Sequence, residues 1–205
     1  MTVFAIDDLI DLTREAGVLA METYGRPHNV ATKQDNSPVT EADLAVDNLI
    51  FPALKKRFPD IPIVTEERAA THAAMPESAR FFLIDPIDGT WNFARGLALF
   101  GIILAVAEKG ETVAGVLYDP VGDDAVTARK GHGAFMHAPD GTLRNLQTAA
   151  EKPADRMIGF SGHGLLPKAV QRELALPLTE FRRVSALRCS CHEYRMMAMG
   201  HADFC

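Results

Sequence analysis

Two aspartates at a short, fixed spacing, Asp85 and Asp88, follow an apolar run in the segment D-P-I-D-G-T. Two carboxylates that converge on one point repel each other unless a cation lies between them. Mg²⁺ suits such a pair because it takes oxygen ligands, including carboxylates, and also binds a substrate phosphate. Gly89 allows close backbone approach, and Thr90 can cap a helix beginning at Trp91, whose N-terminus would seat a phosphate. The segment therefore indicates a magnesium and phosphate site.

Turn chemistry alone is an alternative interpretation, because Asp-Pro commonly opens a turn and Asp-Gly commonly closes one. Two further acidic groups lie upstream. Glu66 and Glu67 follow a short apolar run, where adjacent acids are usually just solvated. Asp43 lies in the first turn of a predicted helix after Thr40, and this pair resembles a capping box. Each local pattern has a plain structural explanation, so only their combination indicates chemistry.

Apolar periodicity places these acids at the ends of predicted helices and strands. The predicted helices are 5–24, 41–58 (with Leu44, Val46, Leu49, Ile50 and Leu54 on its apolar side), 168–175 and 193–199, and the predicted strands are 61–64, 81–84, 99–107, 112–118, 125–128, 157–160 and 181–184. Two helices followed by hairpin-linked strands favour layered helices and sheets over a parallel βαβ repeat. The polar, small residues of 147–153 predict a boundary between an N-terminal lobe, residues 1–146, and a C-terminal lobe, residues 147–205.

Composition excludes several classes of protein. The chain has 205 residues, of which 47% are hydrophobic and 23% charged, which is typical of a globular protein rather than a disordered one. A net charge of −6 argues against binding to a nucleic-acid backbone. The longest apolar run, 97–107, is too short to span a membrane, and the acidic N-terminus is unlike a secretory signal. Three cysteines do not form a disulfide framework, so we expect a cytoplasmic protein.

Together, the acidic segments resemble the inositol monophosphatase family. The resemblance spans nearly the whole chain, in the family's order and spacing. It is carried by D-x-S-x-V-T-x-A-D at 35–43, E-E at 66–67, D-P-I-D-G-T-x-N-F at 85–93, G-V-x-Y-D-P at 115–120 and A-R-K-G-x-G-A-F at 128–135. Separate turn and capping explanations do not predict all these segments together.

The resemblance implies an α/β fold, a layered α/β/α/β/α sandwich with mixed, mostly antiparallel sheets. The N-terminal lobe, residues 1–146, would bind the metal. The C-terminal lobe, residues 147–205, would be a partial substrate lobe, or the two would be one continuous domain.

The resemblance also implies two or three Mg²⁺ ions. Glu66, Asp85 and the Ile87 carbonyl would hold the first ion, and Asp85 would bridge to a second ion that Asp88 also holds. Asp43 would support the attacking water or hold a third, weaker metal. Such a set matches two-metal phosphoryl transfer, in which one ion activates water and the other neutralises the phosphate.

The remaining implied roles concern water and substrate. Glu66 and Thr90 would orient the attacking water. The residues expected to contact the substrate are Asp88, Gly89, Thr90, Ser190 and Glu193. The substrate would be a small phosphorylated metabolite, with inositol monophosphate first and a sugar bisphosphate such as fructose 1,6-bisphosphate second. Histidinol phosphate and 3′-phosphoadenosine nucleotides are further candidates. The alternative class is a non-catalytic, regulatory member of the fold. The resemblance further suggests a homodimer.

The sequence departs from the family in two places. A later W-D-x-A-A-G motif, whose Asp serves the second metal, is absent, and we expect truncation rather than an incomplete site. Arg188 replaces the usual Gly, where it would contact a second phosphate or, as we expect, pair with a surface acid. Cys189-x-Cys191-His192 does not have the spacing of a zinc site.

Overall fold

The computed structural model describes residues 5–26, 30–32, 38–72 and 80–205. Asp35, at the start of the first family-like motif, lies outside the described residues, as does the N-terminal segment 1–4. Within the described ranges, no helix is long and apolar enough to cross a membrane.

Two long helices, α1 (Ile6–Thr23) and α2 (Glu41–Arg57), pack against each other and on one face of the main sheet. Both were predicted. Helix α2 begins at a capping box in which the Thr40 side chain accepts from the Asp43 N–H and the Asp43 side chain accepts from the Thr40 N–H. The prediction for Leu44 is wrong, because that side chain is 48% exposed while Val46 is fully buried.

The main sheet has seven strands in the order β3-β4-β5-β6-β7-β8-β9. Their bounds are β3 Ile63–Thr65, β4 Arg80–Asp88, β5 Gly101–Glu108, β6 Glu111–Asp119, β7 Asp124–Arg129, β8 Gly133–His137 and β9 Leu143–Leu146. Strands β3 and β4 run parallel, and all other neighbours are antiparallel. The predicted mixed, mostly antiparallel sheet is thus confirmed, although the sequence patterns did not predict β8 and β9.

Short elements connect these layers. A two-stranded ribbon of β1 (Val30–Thr32) and β2 (Pro38–Thr40) leads into α2. The four-residue helices α3 (Ala69–His72) and α4 (Thr90–Phe93) follow β3 and β4. Each therefore begins close to a strand end that carries acidic residues.

The C-terminal segment of the chain contributes one helix to the main sheet. Strands β10 (Ile158–Phe160) and β11 (Arg183–Ser185) form a parallel pair, with α5 (Lys168–Ala175) between them. Helix α6 (Ser190–Ala198) packs on β5 and β6. Its Arg195 is 4% exposed, pairs with Asp124 and donates to the Leu117 carbonyl at 3.1 Å. This buried ion pair fixes α6 on the sheet.

The contact between α6 and β5 depends on Gly101. A methyl group added there would meet the Tyr118 carbonyl oxygen at 2.9 Å and the Cys191 Cβ at 2.8 Å. Real side chains do not approach this closely, so either α6 or the strand must move. Gly101 therefore sets the distance between the helix and the sheet.

We expect Gly101→Ala to lower the free energy of unfolding by about 1–3 kcal/mol, the usual cost of overpacking a core. Gly115→Ala in β6 is the matched control, since its added methyl would meet only the Leu104 carbonyl oxygen, at 3.8 Å. Urea unfolding of both variants measures the difference. Equal stability of the two variants would contradict close packing at Gly101.

Candidate active site

A cavity of about 630 Å³ opens at the C-terminal ends of β3 and β4. Nearly all residues expected from the sequence line it: Glu66, Asp85, Ile87, Asp88, Gly89, Thr90, Ser190 and Glu193. Asp43 does not line the cavity but hydrogen-bonds to Thr90, which does. The fold therefore brings together residues from α2, two strands and α6.

The parallel pairing of β3 and β4 places Glu66 beside Asp85. Thr65 lies opposite Ile84 in the register, and the Glu66 N–H donates to the Ile84 carbonyl at 3.1 Å. Glu66 follows β3 directly, and Asp85 lies beside it within β4. The parallel pairing therefore brings the two acidic residues together at the end of β3.

Strand β4 is irregular where it carries the two aspartates. Asp85 lies opposite Ile103 and Asp88 opposite Gly101, so three steps on β4 match two on β5. Such a bulge bends the strand and redirects its side chains. The strand thus extends through the predicted turn and ends only at Asp88.

Gly89 follows in the left-handed conformation, with φ of +86°, and a methyl group there would meet the Leu99 carbonyl oxygen at 2.8 Å. Only glycine fits both constraints. The prediction that Thr90 caps a helix is wrong, because Gly89 is the cap residue and Thr90 is the first residue of α4. The Thr90 hydroxyl instead lies 2.9 Å from Asp43 Oδ1 and 3.0 Å from the Ile87 carbonyl oxygen, both acceptors.

Asp43 serves the helix and the site together. Its Oδ2 accepts from the Thr40 N–H at 2.8 Å and from the Thr40 hydroxyl at 2.5 Å, while its Oδ1 accepts from Thr90 at 2.9 Å. Burial raises the pKa of Asp43, and the hydrogen bonds from Thr40 and Thr90 oppose that rise. The same carboxylate therefore caps α2 and also holds the Thr90 hydroxyl of the candidate site.

Asp88 is held by the start of α6. Its Oδ2 accepts from the Cys191 N–H at 2.6 Å and from the Cys189 thiol at 2.9 Å. Burial raises the pKa of Asp88, and the hydrogen bond from Cys189 opposes that rise. Burial and the neighbouring Asp88 charge raise the pKa of the Cys189 thiol, which keeps it a donor. No motif in the sequence predicted this contact.

The cysteines and histidine of this segment do not converge on one point. The Cys191 thiol donates to the Tyr118 carbonyl at 3.6 Å, and His192 Nε2 lies 3.0 Å from the Phe100 carbonyl oxygen. Each side chain therefore has a different partner, in agreement with the lack of a zinc spacing.

Asp85 has the most unfavourable surroundings of the four carboxylates. Burial raises its pKa well above the usual 3.8, and the charges of Glu66, Asp88 and Asp43 raise it further. A hydrogen bond with Glu66 raises it as well. In addition, Oδ1 of Asp85 is buried and has no hydrogen-bond partner among the described residues.

These surroundings fit a hard divalent cation. The donors are all oxygens, the buried Oδ1 of Asp85 lacks a partner, and a positive ion would relieve the repulsion between carboxylates. Across the described ranges, no three His, Cys, Asp or Glu side chains already form a metal-binding cluster. The hydrogen bonds explain this, since Asp43 is turned to Thr40 and Asp88 to α6.

Glu193 and Ser190 lie on the wall formed by α6. Glu193 is 7% exposed, and its Oε1 accepts from the Leu187 N–H at 2.7 Å. Its Oε2 lies 3.5 Å from the Cys205 thiol. Ser190 is exposed at the first position of the helix. Their roles toward substrate hydroxyls stay predictions.

Asp47 is a supporting residue that the sequence reasoning missed. It is 2% exposed and accepts from the Thr65 hydroxyl and from Arg68 Nε, each at 2.6 Å. These bonds fix both sides of the turn that carries Glu66. The spacing of the sequence could have identified it, because Asp47 lies one helical turn after Asp43 on α2 and therefore on the same face of the helix.

Within the described residues, the expected pairing of Arg188 with a surface acid is not found. Among the residues that the structure describes, its guanidinium has no carboxylate partner and lies 4.1 Å from the centroid of the Trp91 ring. Both residues line the cavity. Trp91 therefore holds a cation at the cavity wall.

Comparison with known proteins gives consistent results. The family model described as the inositol monophosphatase family matches residues 4–205. The Nus factor SuhB of Pasteurella multocida is 30% identical over 198 residues, which cover 96% of this chain and 69% of that protein. An inositol-1-monophosphatase of Mesorhizobium japonicum is 33% identical over 154 residues, which cover 74% of this chain and 55% of that protein.

A 3′(2′),5′-bisphosphate nucleotidase CysQ of Salmonella typhimurium is 37% identical over 118 residues, which cover 57% of this chain and 48% of that protein. The aligned region of the chain thus spans about half the length of these last two relatives. Among solved structures, an IMPase of Thermotoga maritima matches with a TM-score of 0.81 and 29% identity, over 97% of this chain and 74% of that one. A suhB protein of Bartonella henselae matches with a TM-score of 0.81 and 26% identity, over 97% and 76%.

We expect Asp85→Asn to raise the melting temperature in EDTA, because it removes a crowded buried charge. Mg²⁺ should raise the melting temperature of the wild type and have a much smaller effect on the variant, since binding to the folded state stabilises it. Thermal melts with EDTA and with increasing Mg²⁺ measure both effects. Asp60→Asn, at an exposed position outside the cavity, is the control and should behave like the wild type. An equal response of all three proteins to Mg²⁺ would remove Asp85 from the metal site.

The stability difference between Asp85→Asn and the wild type should also depend on pH in EDTA. A folded-state pKa raised above 3.8 gives stability that is present at low pH and is lost as the pH rises through the raised value. The advantage of the variant should therefore grow with pH above the unfolded pKa. Urea unfolding from pH 4 to pH 8 tests this, and a constant difference would contradict a raised pKa.

Proposed function

The chain belongs to the inositol monophosphatase family, and from this premise we propose that it is a metal-dependent phosphatase acting on a small phosphate monoester. The family is one of metal-dependent phosphatases that act on small phosphorylated substrates. The observation that carries the proposal is the buried Oδ1 of Asp85, which has no hydrogen-bond partner among the described residues and lies among the charges of Glu66, Asp88 and Asp43. In a cluster of acids with only a structural role, nothing would offset the loss of stability that this electrostatic repulsion causes.

Glu66, Asp85, the Ile87 carbonyl and Asp88 would hold the metal, which we take to be two or three Mg²⁺ ions. When bound, the metal supplies an activated water at neutral pH and positive charge for the phosphate. The donor set supports this choice, because it consists of hard oxygens at one edge of the sheet.

Thr90 and Glu66 would orient the attacking water. The Thr90 hydroxyl supports this role because Asp43 Oδ1 and the Ile87 carbonyl fix its position on the cavity wall. Asp43 would hold the Thr90 hydroxyl in a fixed orientation, since its other oxygen is tied to Thr40. A hydroxyl positioned in this way can direct a water molecule without moving itself during the reaction.

Substrate recognition would use the other side of the cavity. The N–H groups of Gly89 and Thr90 would bind phosphate oxygens, with Asp88, Ser190 and Glu193 near the substrate's hydroxyl groups. Inositol monophosphate is the first substrate to assay, in line with the inositol-1-monophosphatase relative. A bisphosphorylated metabolite is the second, in line with the bisphosphate nucleotidase relative and with the free guanidinium of Arg188.

The proposal extends to the setting of the protein. We take it to act as a homodimer in the cytoplasm, on the resemblance to the family. The three cysteines support a reducing compartment because each is a free thiol.

Phosphate release from inositol 1-phosphate should require Mg²⁺ and stop in EDTA. Thr90→Ala should lower kcat by about 10²- to 10⁴-fold, the range for a group that assists proton transfer. Thr90→Ser, which keeps the hydroxyl, is the conservative control and should retain most of the activity. Thr179→Ala, on the exposed surface outside the cavity, controls for general effects. Full turnover by Thr90→Ala would refute the role in water orientation. A failure of the wild type on inositol, sugar and nucleotide phosphates would favour a non-catalytic member of the fold.

A further inference from the structure

The cavity has a cationic edge that the proposed chemistry leaves unexplained. Arg188 lines the cavity with Trp91, and its guanidinium lies 4.1 Å from the ring centroid. Arg95 lies 4.0 Å from the same ring but does not line the cavity. One tryptophan therefore contacts two guanidinium groups, and of these two arginines Arg188 is the one that lines the cavity.

The backbone fixes Arg188 at this position. Its φ of +56° lies in the left-handed region, which favours glycine. The side-chain amide of Asn92, which is 2% exposed, donates to the Leu187 carbonyl at 2.8 Å and to the Arg188 carbonyl at 3.4 Å. The loop before α6 is thus tied to the segment that carries the catalytic candidates. The backbone of Arg188 is consequently fixed beside the segment that would seat the phosphate.

The charge of Arg188 is not compensated within the described residues. Several other arginines have carboxylate partners, namely Arg14, Arg57, Arg68, Arg80 and Arg195. Among the described residues, the Arg188 guanidinium has no ion-pair partner, and it lies 4.1 Å from the centroid of the Trp91 ring. A guanidinium in this state presents a planar fork of donors that matches a phosphate or a carboxylate.

We propose that Arg188 binds a second anionic group of the substrate. The enzyme then prefers a small phosphate monoester that carries an additional phosphate or carboxylate over one that carries only hydroxyl groups. This inference rests on the proposed phosphatase function. The cavity, at about 630 Å³, has room for such a molecule. Trp91 has a positioning role, because its ring holds the guanidinium over the cavity.

The test compares matched substrates that differ by one anionic group. Adenosine 3′,5′-bisphosphate and adenosine 3′-monophosphate form the phosphate pair. The carboxylate pair is 3-phosphoglycerate and glycerol 3-phosphate. For each pair the quantity measured is the ratio of the two kcat/KM values at saturating Mg²⁺. We expect the wild type to favour the substrate with the extra anion in at least one pair by about 10- to 100-fold, the value of a charge-assisted hydrogen bond.

Arg188→Asn removes the charge with a residue that tolerates the left-handed backbone, and should bring that ratio close to one. Arg188→Lys keeps the charge and should retain part of the preference. Arg95→Gln is the matched control, because it removes the guanidinium that contacts the same ring outside the cavity, and its ratio should equal that of the wild type. Circular dichroism establishes that each variant is folded.

A ratio near one in both wild-type pairs would overturn the proposal, as would an unchanged preference in Arg188→Asn or an equal loss in Arg95→Gln. The pair in which a preference depends on Arg188 identifies the anionic group. If the wild type hydrolyses neither these substrates nor inositol and sugar phosphates, the phosphatase function fails on its own. Calorimetric binding of adenosine 3′,5′-bisphosphate to wild type and Arg188→Asn at saturating Mg²⁺ then decides the role of Arg188, with equal affinities excluding it.

Discussion

Mutual repulsion among four carboxylates, Asp43, Glu66, Asp85 and Asp88, is the constraint on which the rest of the site depends. Such groups separate in a flexible chain, so the fold must hold them together at a cost in stability. Asp85 carries most of that cost, because it is buried and has an oxygen without a partner. The apolar core beneath it, which includes the fully buried Phe93, supplies the compensating stability. A protein that keeps this arrangement stores electrostatic energy that a cation can release.

Each carboxylate is held by a different element, which makes the site a product of the whole fold. Helix α2 fixes Asp43 through its capping box, and the parallel strand pair fixes Glu66. Helix α6 fixes Asp88 through the Cys191 N–H. The ion pair between Arg195 and Asp124 in turn anchors α6 to the sheet. Asp47 connects α2 to the turn after β3. A change in the packing of any of these elements therefore reaches the proposed metal ligands.

The sequence predicted much of what is local and missed what is distant. Apolar periodicity located α1, α2 and β3 to β7, although it missed the short strands β8 and β9. The motifs of the family resemblance located eight of the residues that line the cavity, because each signal lies within a few positions. The bond between Asp88 and Cys189 joins residues 101 positions apart, and no local pattern reports it. The same reason applies to Arg188, since its lack of an acidic partner among the described residues depends on which segments meet in space. Leu44 was misplaced because apolar character alone does not show which side of a helix is buried.

The site combines two kinds of positive charge for one anionic substrate. The acidic centre becomes positive only when metal binds, whereas the guanidinium of Arg188 is positive at all times and is held in place by Trp91. In a chain of net charge −6, an approaching phosphate is repelled by the protein as a whole and by the metal-free centre. A bound metal would turn the repulsion between the acidic centre and the reacting phosphate into attraction. A fixed cation at the edge then acts on the portion of the substrate that does not react, so that it selects among substrates without altering the reacting phosphate.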